Sequence, residues 1–240
     1  MSTAVQSFKY GRLPAMRPAA LSDLAVYATG KLPPPPSTCA VPSAAYPMDG
    51  NDKYGDCTMA GVAHLMEAWN ASFKQGAAVP SEQQIVAEFL KLNGGGADTG
   101  LVEANVLARW HREGLFGEKI AAYAPVDPKD ILAIHQAIAE YGGCYLGIQC
   151  PQSAQEQFTN GEPWTYVPGS PTEGHCIVGL GYDETHVECA TWGGIAHVTY
   201  PFFAHYLDEA WAILSEQLVA AKKDDLGIAL ETLQADLEKV

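Results

Sequence analysis

The chain has 240 residues and a formal net charge of −14, from 28 acidic and 14 basic side chains. That balance disfavours nucleic acid, whose phosphates such a surface repels. The 48% hydrophobic content can supply a real core, yet its apolar runs are too short and interrupted for a transmembrane helix, so no membrane partner is expected.

Residues 1–45 read as an extended, proline-rich arm. Met1 to Tyr10 is polar, which predicts no signal peptide. Leu21 to Ala28 carries a short helical pattern, and Pro33-Pro34-Pro35-Pro36 enforces a polyproline-like stretch, because each proline fixes φ and removes a donor. Such an arm either packs along the surface or covers a cleft as a pro-segment. The domain proper is expected over 46–216, with an acidic, exposed helical tail over 217–240.

Within the domain, Asn51-Asp52-Lys53-Tyr54-Gly55-Asp56 is a polar loop that runs into a helical apolar pattern at Cys57. A thiol in the first turn of a helix faces free N–H groups and the positive end of the dipole, which favour its anion. A small buried residue beneath a helix start fits the same position. Further helices are expected over 57–75, over 81–92, where Ser81 and Gln84 form a capping-box pattern, over 102–113 and over 128–141. Asn93-Gly94-Gly95-Gly96 and Gly114 read as helix stops.

After Gly142-Gly143 the pattern changes to strands: 144–149, 175–182, 186–192 and 197–200, with Asp183-Glu184-Thr185 as a hairpin turn. Residues 151–173 read as a loop and Phe202 to Leu214 as an amphipathic helix. Helices followed by antiparallel strands give an α+β class. The six cysteines, at 39, 57, 144, 150, 176 and 189, form no CxxC pair and no zinc-type spacing, so no disulfide scaffold, metal or cofactor is expected. Scattered cysteines without an export signal suggest a cytoplasmic protein.

A nucleophilic Cys57 needs a base. His64 lies two turns along the same helix, roughly 10.5 Å away, too far for activation. His111, His135 and His205 read as solvated helix residues, and His186 falls in a turn. His175 opens a buried strand, where a rigid scaffold can aim an imidazole into a cleft.

In this order the residues resemble the papain-like cysteine peptidases over about 46–200. Asn51, six residues before Cys57, stands where that fold carries a glutamine that completes the oxyanion hole. Gly94-Gly95-Gly96 to Gly114 resembles its Gly-rich turn and following helix. Gly174-His175-Cys176-Ile177-Val178-Gly179 resembles its general-base strand, and Thr191-Trp192-Gly193 the segment of its third residue. The chain departs from the pattern in lacking C-G-[SA]-C-[WY] and in having no asparagine before Trp192. Thr191 takes that place, and a backbone carbonyl, Asp183 or Glu188 are the alternatives for orienting His175. The likeness is to an uncharacterised group met in bacteria and their phages. It implies a cysteine-dependent hydrolase acting on peptide or protein through Cys57, His175, Asn51 and Thr191, cytoplasmic or virion-associated. A transglutaminase or acyltransferase with the same pair, and an inactive papain-like structural or binding module, are the other readings.

Overall fold

A computed structural model describes residues 8–240 apart from 75, 77, 96, 97, 223 and 224. The elements, in chain order, are α1 (Leu24–Tyr27), α2 (Cys57–Phe73), α3 (Glu82–Leu92), α4 (Glu103–Arg112), β1 (Ile120–Pro125), α5 (Ile131–Tyr141), β2 (Cys144–Pro151) and α6 (Gln152–Asn160). Then follow β3 (Thr172–Tyr182), β4 (His186–Thr191), β5 (Gly194–Thr199), α7 (Tyr200–Tyr206), β6 (Leu207–Ser215), α8 (Glu216–Lys222) and α9 (Leu230–Leu237). The six strands form one antiparallel sheet in the order β1-β6-β2-β3-β4-β5, an α+β architecture. None of the helices among the described residues is long and apolar enough to cross a membrane.

Helix α2 is the pillar of the core. It is buried all round from Cys57 to Trp69, as a helix of small and apolar residues on every face must be. It lies tight on the sheet because Gly61 has no side chain. A Cβ there would sit 2.7 Å from the Tyr145 ring and 3.2 Å from the Cys176 sulfur. The Tyr145 hydroxyl donates to the Thr58 carbonyl, which pins the first turn of α2, and with it Cys57, against β2. Trp69 Nε1 donates to the Tyr141 carbonyl and fixes the other end. α3 opens with the expected capping box at Ser81 and Gln84. Gln75 and Gly96, the ends of two predicted features, lie outside the described residues.

Several expectations are corrected. The amphipathic helix expected over 202–214 ends at Tyr206, and Leu207 to Ser215 is the strand between β1 and β2. Residues 120–125 are a strand, and the loop expected over 151–173 contains α6. β3 begins at Thr172, so His175 is its fourth residue instead of its first. Histidines 135 and 205 are not simply solvated, because they stack on Tyr182 and Tyr166 with ring centroids 3.8 Å apart, and His111 meets Tyr123 edge-on.

The segment 217–240 is helical over α8 and α9, but it is not an exposed tail. Leu218, Leu226, Leu233 and Leu237 are buried, and α9 packs on β1. The arm joins it there: Tyr27 donates to Asp236 at 2.9 Å, and Ala28 bridges to Ile228. The arm then crosses the back of β3, where Cys39 pairs with Tyr182, before entering the domain. Leu233 is fully buried, so Leu233→Ala should destabilise the protein by about 2–5 kcal/mol in urea denaturation. A loss within about 0.5 kcal/mol, typical of surface substitutions, would contradict this packing.

Candidate active site

Cys57 is the first residue of α2, so its own N–H has no partner within the helix. Its Sγ accepts a hydrogen bond from the backbone N–H of Cys176 at 3.4 Å, which sets the thiol beside the strand residue next to His175. His175 is fully buried on β3 opposite Ile148. Its Nε2 lies 2.8 Å from Thr191 Oγ1, while Nδ1 has no hydrogen-bond partner. Thr191 ends β4, and Trp192-Gly193 is a two-residue hairpin loop with both φ positive, 43° and 79°.

That loop settles a geometrical difficulty. Strict alternation along β4 would send Trp192 to the face opposite Thr191. With Trp192 in the left-handed region, its ring instead stacks on His175, with centroids 4.5 Å apart and planes at 24°. Ala190, which directly precedes Thr191, pairs with Val178 in the ladder. Asp183 and Glu188 serve a different cluster, with His186 and His197. Asn51 is buried, and its amide donates to the Tyr54 carbonyl at 3.0 Å, which shapes the loop ahead of Cys57. His64 is buried, bonded to the Pro47 carbonyl and 3.5 Å from Asp49.

The sequence left open whether the arm packs along the surface or covers a cleft, and it did not show which residues the arm would meet. Residues 8–13 of the arm run past Asn51, Gly174 and His175 as an extended segment. Lys9 N–H donates to the Asn51 carbonyl, Gly11 and Arg12 N–H to the Gly174 carbonyl, and Leu13 N–H to the Leu101 carbonyl. Leu101 N–H donates back to the Gly11 carbonyl, and Trp192 Nε1 donates to that of Lys9. Tyr10 meets His175 edge-on at 5.7 Å, and Phe8 stacks on the outer face of Trp192 at 4.7 Å. Grooves of about 350 Å³, beside Gly100 and Gly174, and about 480 Å³, beside Gln152 and Glu173, lie along the arm.

Glycines make the passage possible. A Cβ on Gly11 would lie 1.8 Å from the Gly55 carbonyl oxygen, one on Gly100 2.0 Å from that of Gly11, and one on Gly174 2.1 Å from that of Arg12. The Arg12 side chain passes Gly147 and is fully buried. It binds Asp208 with contacts of 2.6 and 2.8 Å and Glu209 at 2.9 Å. In a chain with only 14 basic residues, a lone arginine before a Leu-Pro step was the one available signal of this anchor.

The covering sets the electrostatics. Burial pushes the Cys57 thiol up to about 12, with the nearby acidic Asp56 and Glu103 adding to the effect. Burial also pushes His175 down to about 3, helped by the positive charges of Arg12 and His64. Thiol and imidazole are therefore both neutral beneath the arm. Glu103, fully buried beside the Cys176 thiol, is held well above the usual carboxylate range by desolvation and by Glu209.

Solved structures similar to this chain include cysteine proteases. The chain is similar to xylellain, a cysteine protease from Xylella fastidiosa, with a TM-score of 0.67, 16% identity, and 90% of this chain and 99% of that chain covered. It is also similar to the Carica candamarcensis cysteine protease CMS1MS2 in complex with E-64, with a TM-score of 0.54, 12% identity, and 75% and 99% covered. For procathepsin B S9 from Trypanosoma congolense the TM-score is 0.56, the identity 9%, and the coverage 88% and 86%. No protein-family model and no curated protein matches the chain. The chain thus has the papain-like cysteine protease fold, with the α+β class expected from its sequence.

Asp56, fully buried at the start of α2, gives a pH test. Burial raises its folded pKa to about 8, above the usual 3.8. A raised carboxyl favours folding when protonated, so its contribution is complete below about pH 4 and is lost as pH rises through about 8. Asp56→Asn has no such proton to lose. Its stability relative to the unsubstituted protein should rise between pH 4 and 8 by on the order of 1 kcal/mol or more. Parallel pH–stability curves would contradict the burial of this group.

Proposed function

We propose that the chain is a cysteine-dependent hydrolase of peptides, held latent by its own arm. The observation that carries this reading is the arrangement around His175. One ring nitrogen is held by Thr191, the other is unpartnered, and the Cys57 thiol rests on the N–H of the adjacent residue at a helix N-terminus. The protease fold of the solved neighbours adds to it. The peptide class is supported by the slot, which binds an extended backbone through main-chain groups on both walls.

With the arm displaced, water and substrate enter, and the desolvation that keeps both groups neutral is relieved. His175 Nδ1 takes the Cys57 proton. The thiolate attacks the substrate carbonyl carbon and forms a C–S bond, and the carbonyl electron pair becomes an oxyanion. The Cys57 backbone N–H stabilises that oxyanion, together with the second N–H of the Asn51 amide, whose first is engaged by Tyr54. The imidazolium then protonates the leaving amine as the C–N bond breaks. Water, deprotonated by His175, releases the acid and restores the thiol. Thr191 Oγ1 accepts from Nε2–H and keeps Nδ1 facing the sulfur, a role that in this fold needs only a neutral acceptor. Trp192 shields that contact from water.

Gly11→Ala tests latency with one substituted residue, since its Cβ cannot coexist with the Gly55 carbonyl and the arm must leave the slot. The intact protein should alkylate slowly at Cys57 with iodoacetamide at neutral pH. Gly11→Ala should alkylate on the order of tenfold faster or more, and should hydrolyse a general peptide substrate that Gly11→Ala/Cys57→Ser leaves intact. Faster alkylation with no hydrolysis would favour the inactive module, and product formed only with an added amine would favour the acyltransferase. In the opened protein, Thr191→Val should lower kcat by on the order of 10²-fold through a misdirected imidazole, with KM little changed. Unchanged turnover would remove Thr191 from the mechanism.

A further inference from the structure

Away from the cleft, at the edge of the sheet, the β4–β5 hairpin gathers two imidazoles and a carboxylate. His186 and Glu188 are two apart on β4 and so share a face, and His197 on β5 stands directly opposite Glu188 in the register. Among the described residues this is the one group of three such side chains whose candidate ligand atoms all lie within 4.8 Å of one another. His197 Nδ1 is 2.8 Å from His186 Nε2 and 3.8 Å from Glu188 Oε1.

Two neutral imidazoles aimed at each other can share only one N–H, so their approach is that of paired donors to a common centre as much as of a hydrogen bond. Tetrahedral zinc with Zn–N bonds of about 2.0–2.1 Å separates its nitrogens by roughly 3.3 Å. The two rings need to part by only about half an ångström to admit it. The other nitrogen of His186 is already committed: Nδ1 lies 2.7 Å from Thr185 Oγ1 and 3.2 Å from Asp183 Oδ1. The Thr185 hydroxyl donates to Asp183, so it accepts from His186 Nδ1–H. That fixes the tautomer in which Nε2 offers a lone pair. A carboxylate and hydroxyl behind a ligating histidine form the outer shell that orients metal-binding imidazoles. His197 needs only to carry its proton on Nε2, which is a change of tautomer with no proton gained or lost.

We propose that His186, Glu188 and His197 form a binding site for a divalent transition ion of the zinc class, distinct from the Cys57–His175 cleft. Two nitrogens and one carboxylate oxygen suit zinc better than magnesium or calcium, which prefer oxygen shells. The fourth position is left to water. With half-exposed His197 at the rim, the site is open to ions from solution, and an ion there ties the edge strand β5 to β4. The expectation of no metal rested on cysteine spacing, whereas this donor set is His-x-Glu on one strand and a histidine brought opposite by the hairpin.

The test is titration of metal-free Cys57→Ser protein with zinc chloride by calorimetry, the substitution keeping the cleft thiol from competing. One equivalent should bind, and side-chain ¹⁵N signals of His186 and His197 should shift together. H186Q/H197Q should lose binding by at least 10-fold, and Asp183→Asn should weaken it by about 10-fold. Magnesium chloride should give no heat. The proposal is overturned if the Cys57→Ser protein takes up no zinc, if H186Q/H197Q, with circular dichroism showing it folded, binds as before, or if magnesium competes equally.

Discussion

Three glycines on the walls, and one on the arm, let residues 9–13 pack backbone against backbone beside His175. The main chain of residues 9–13 passes so close to Gly55, Gly100 and Gly174 that a single added carbon at any crossing would strike backbone. Because the contact is backbone on backbone, it is satisfied by hydrogen bonds that any extended peptide offers. In the proposed reading, the arm occupies the slot that a substrate segment would take. The Arg12 side chain anchors it, with its buried guanidinium on Asp208 and Glu209 while Gly11 sits at the crossing. Removing that guanidinium would leave the buried Glu209 carboxylate uncompensated, so the arm and the strand it binds, β6, are coupled.

The same covering buries Cys57 and His175, and in the proposed reading it keeps the pair silent. Cys57 stands at a helix N-terminus, which favours a thiolate, yet desolvation and nearby acids outweigh the dipole. His175 is pressed between the Trp192 ring and Tyr10, and no water reaches Nδ1. Neither group gains from ionising alone, and no hydrogen bond joins them. α2 and β3 are packed together through Gly61 and Tyr145, so the elements that carry Cys57 and His175 are joined by contacts that do not involve the arm.

Much of this was legible from residue pattern alone. α2 to α5 and β2 to β4 follow from periodicity and from their Gly, Ser and Asp punctuation, and the order Cys57 then His175 drew attention to a thiol that accepts from the N–H of the residue next to His175. What escaped were features fixed by distant partners. Leu207 to Ser215 continues a helical spacing from Phe202 and becomes a strand only because β1 and β2 stand ready to pair on either side. β1 is alanine-rich and has weak strand character of its own. α6 is polar and lies between Pro151 and Gly161, so it reads as loop. The acidic tail hides its leucines at helical spacing among carboxylates. The arm's destination is written in no local motif, because a glycine matters here only for what it faces.

The most direct test of the central claim is the thiol–thiolate transition of Cys57, followed by ultraviolet absorbance against pH in Gly11→Ala and in Gly11→Ala/His175→Ala. If the arm alone silences a paired Cys57 and His175, the opened protein shows thiolate well below the ordinary thiol pKa of about 8.5, and loss of His175 returns the transition toward that value. Identical curves in the two proteins would mean that His175 does not ionise Cys57, and the account would fail.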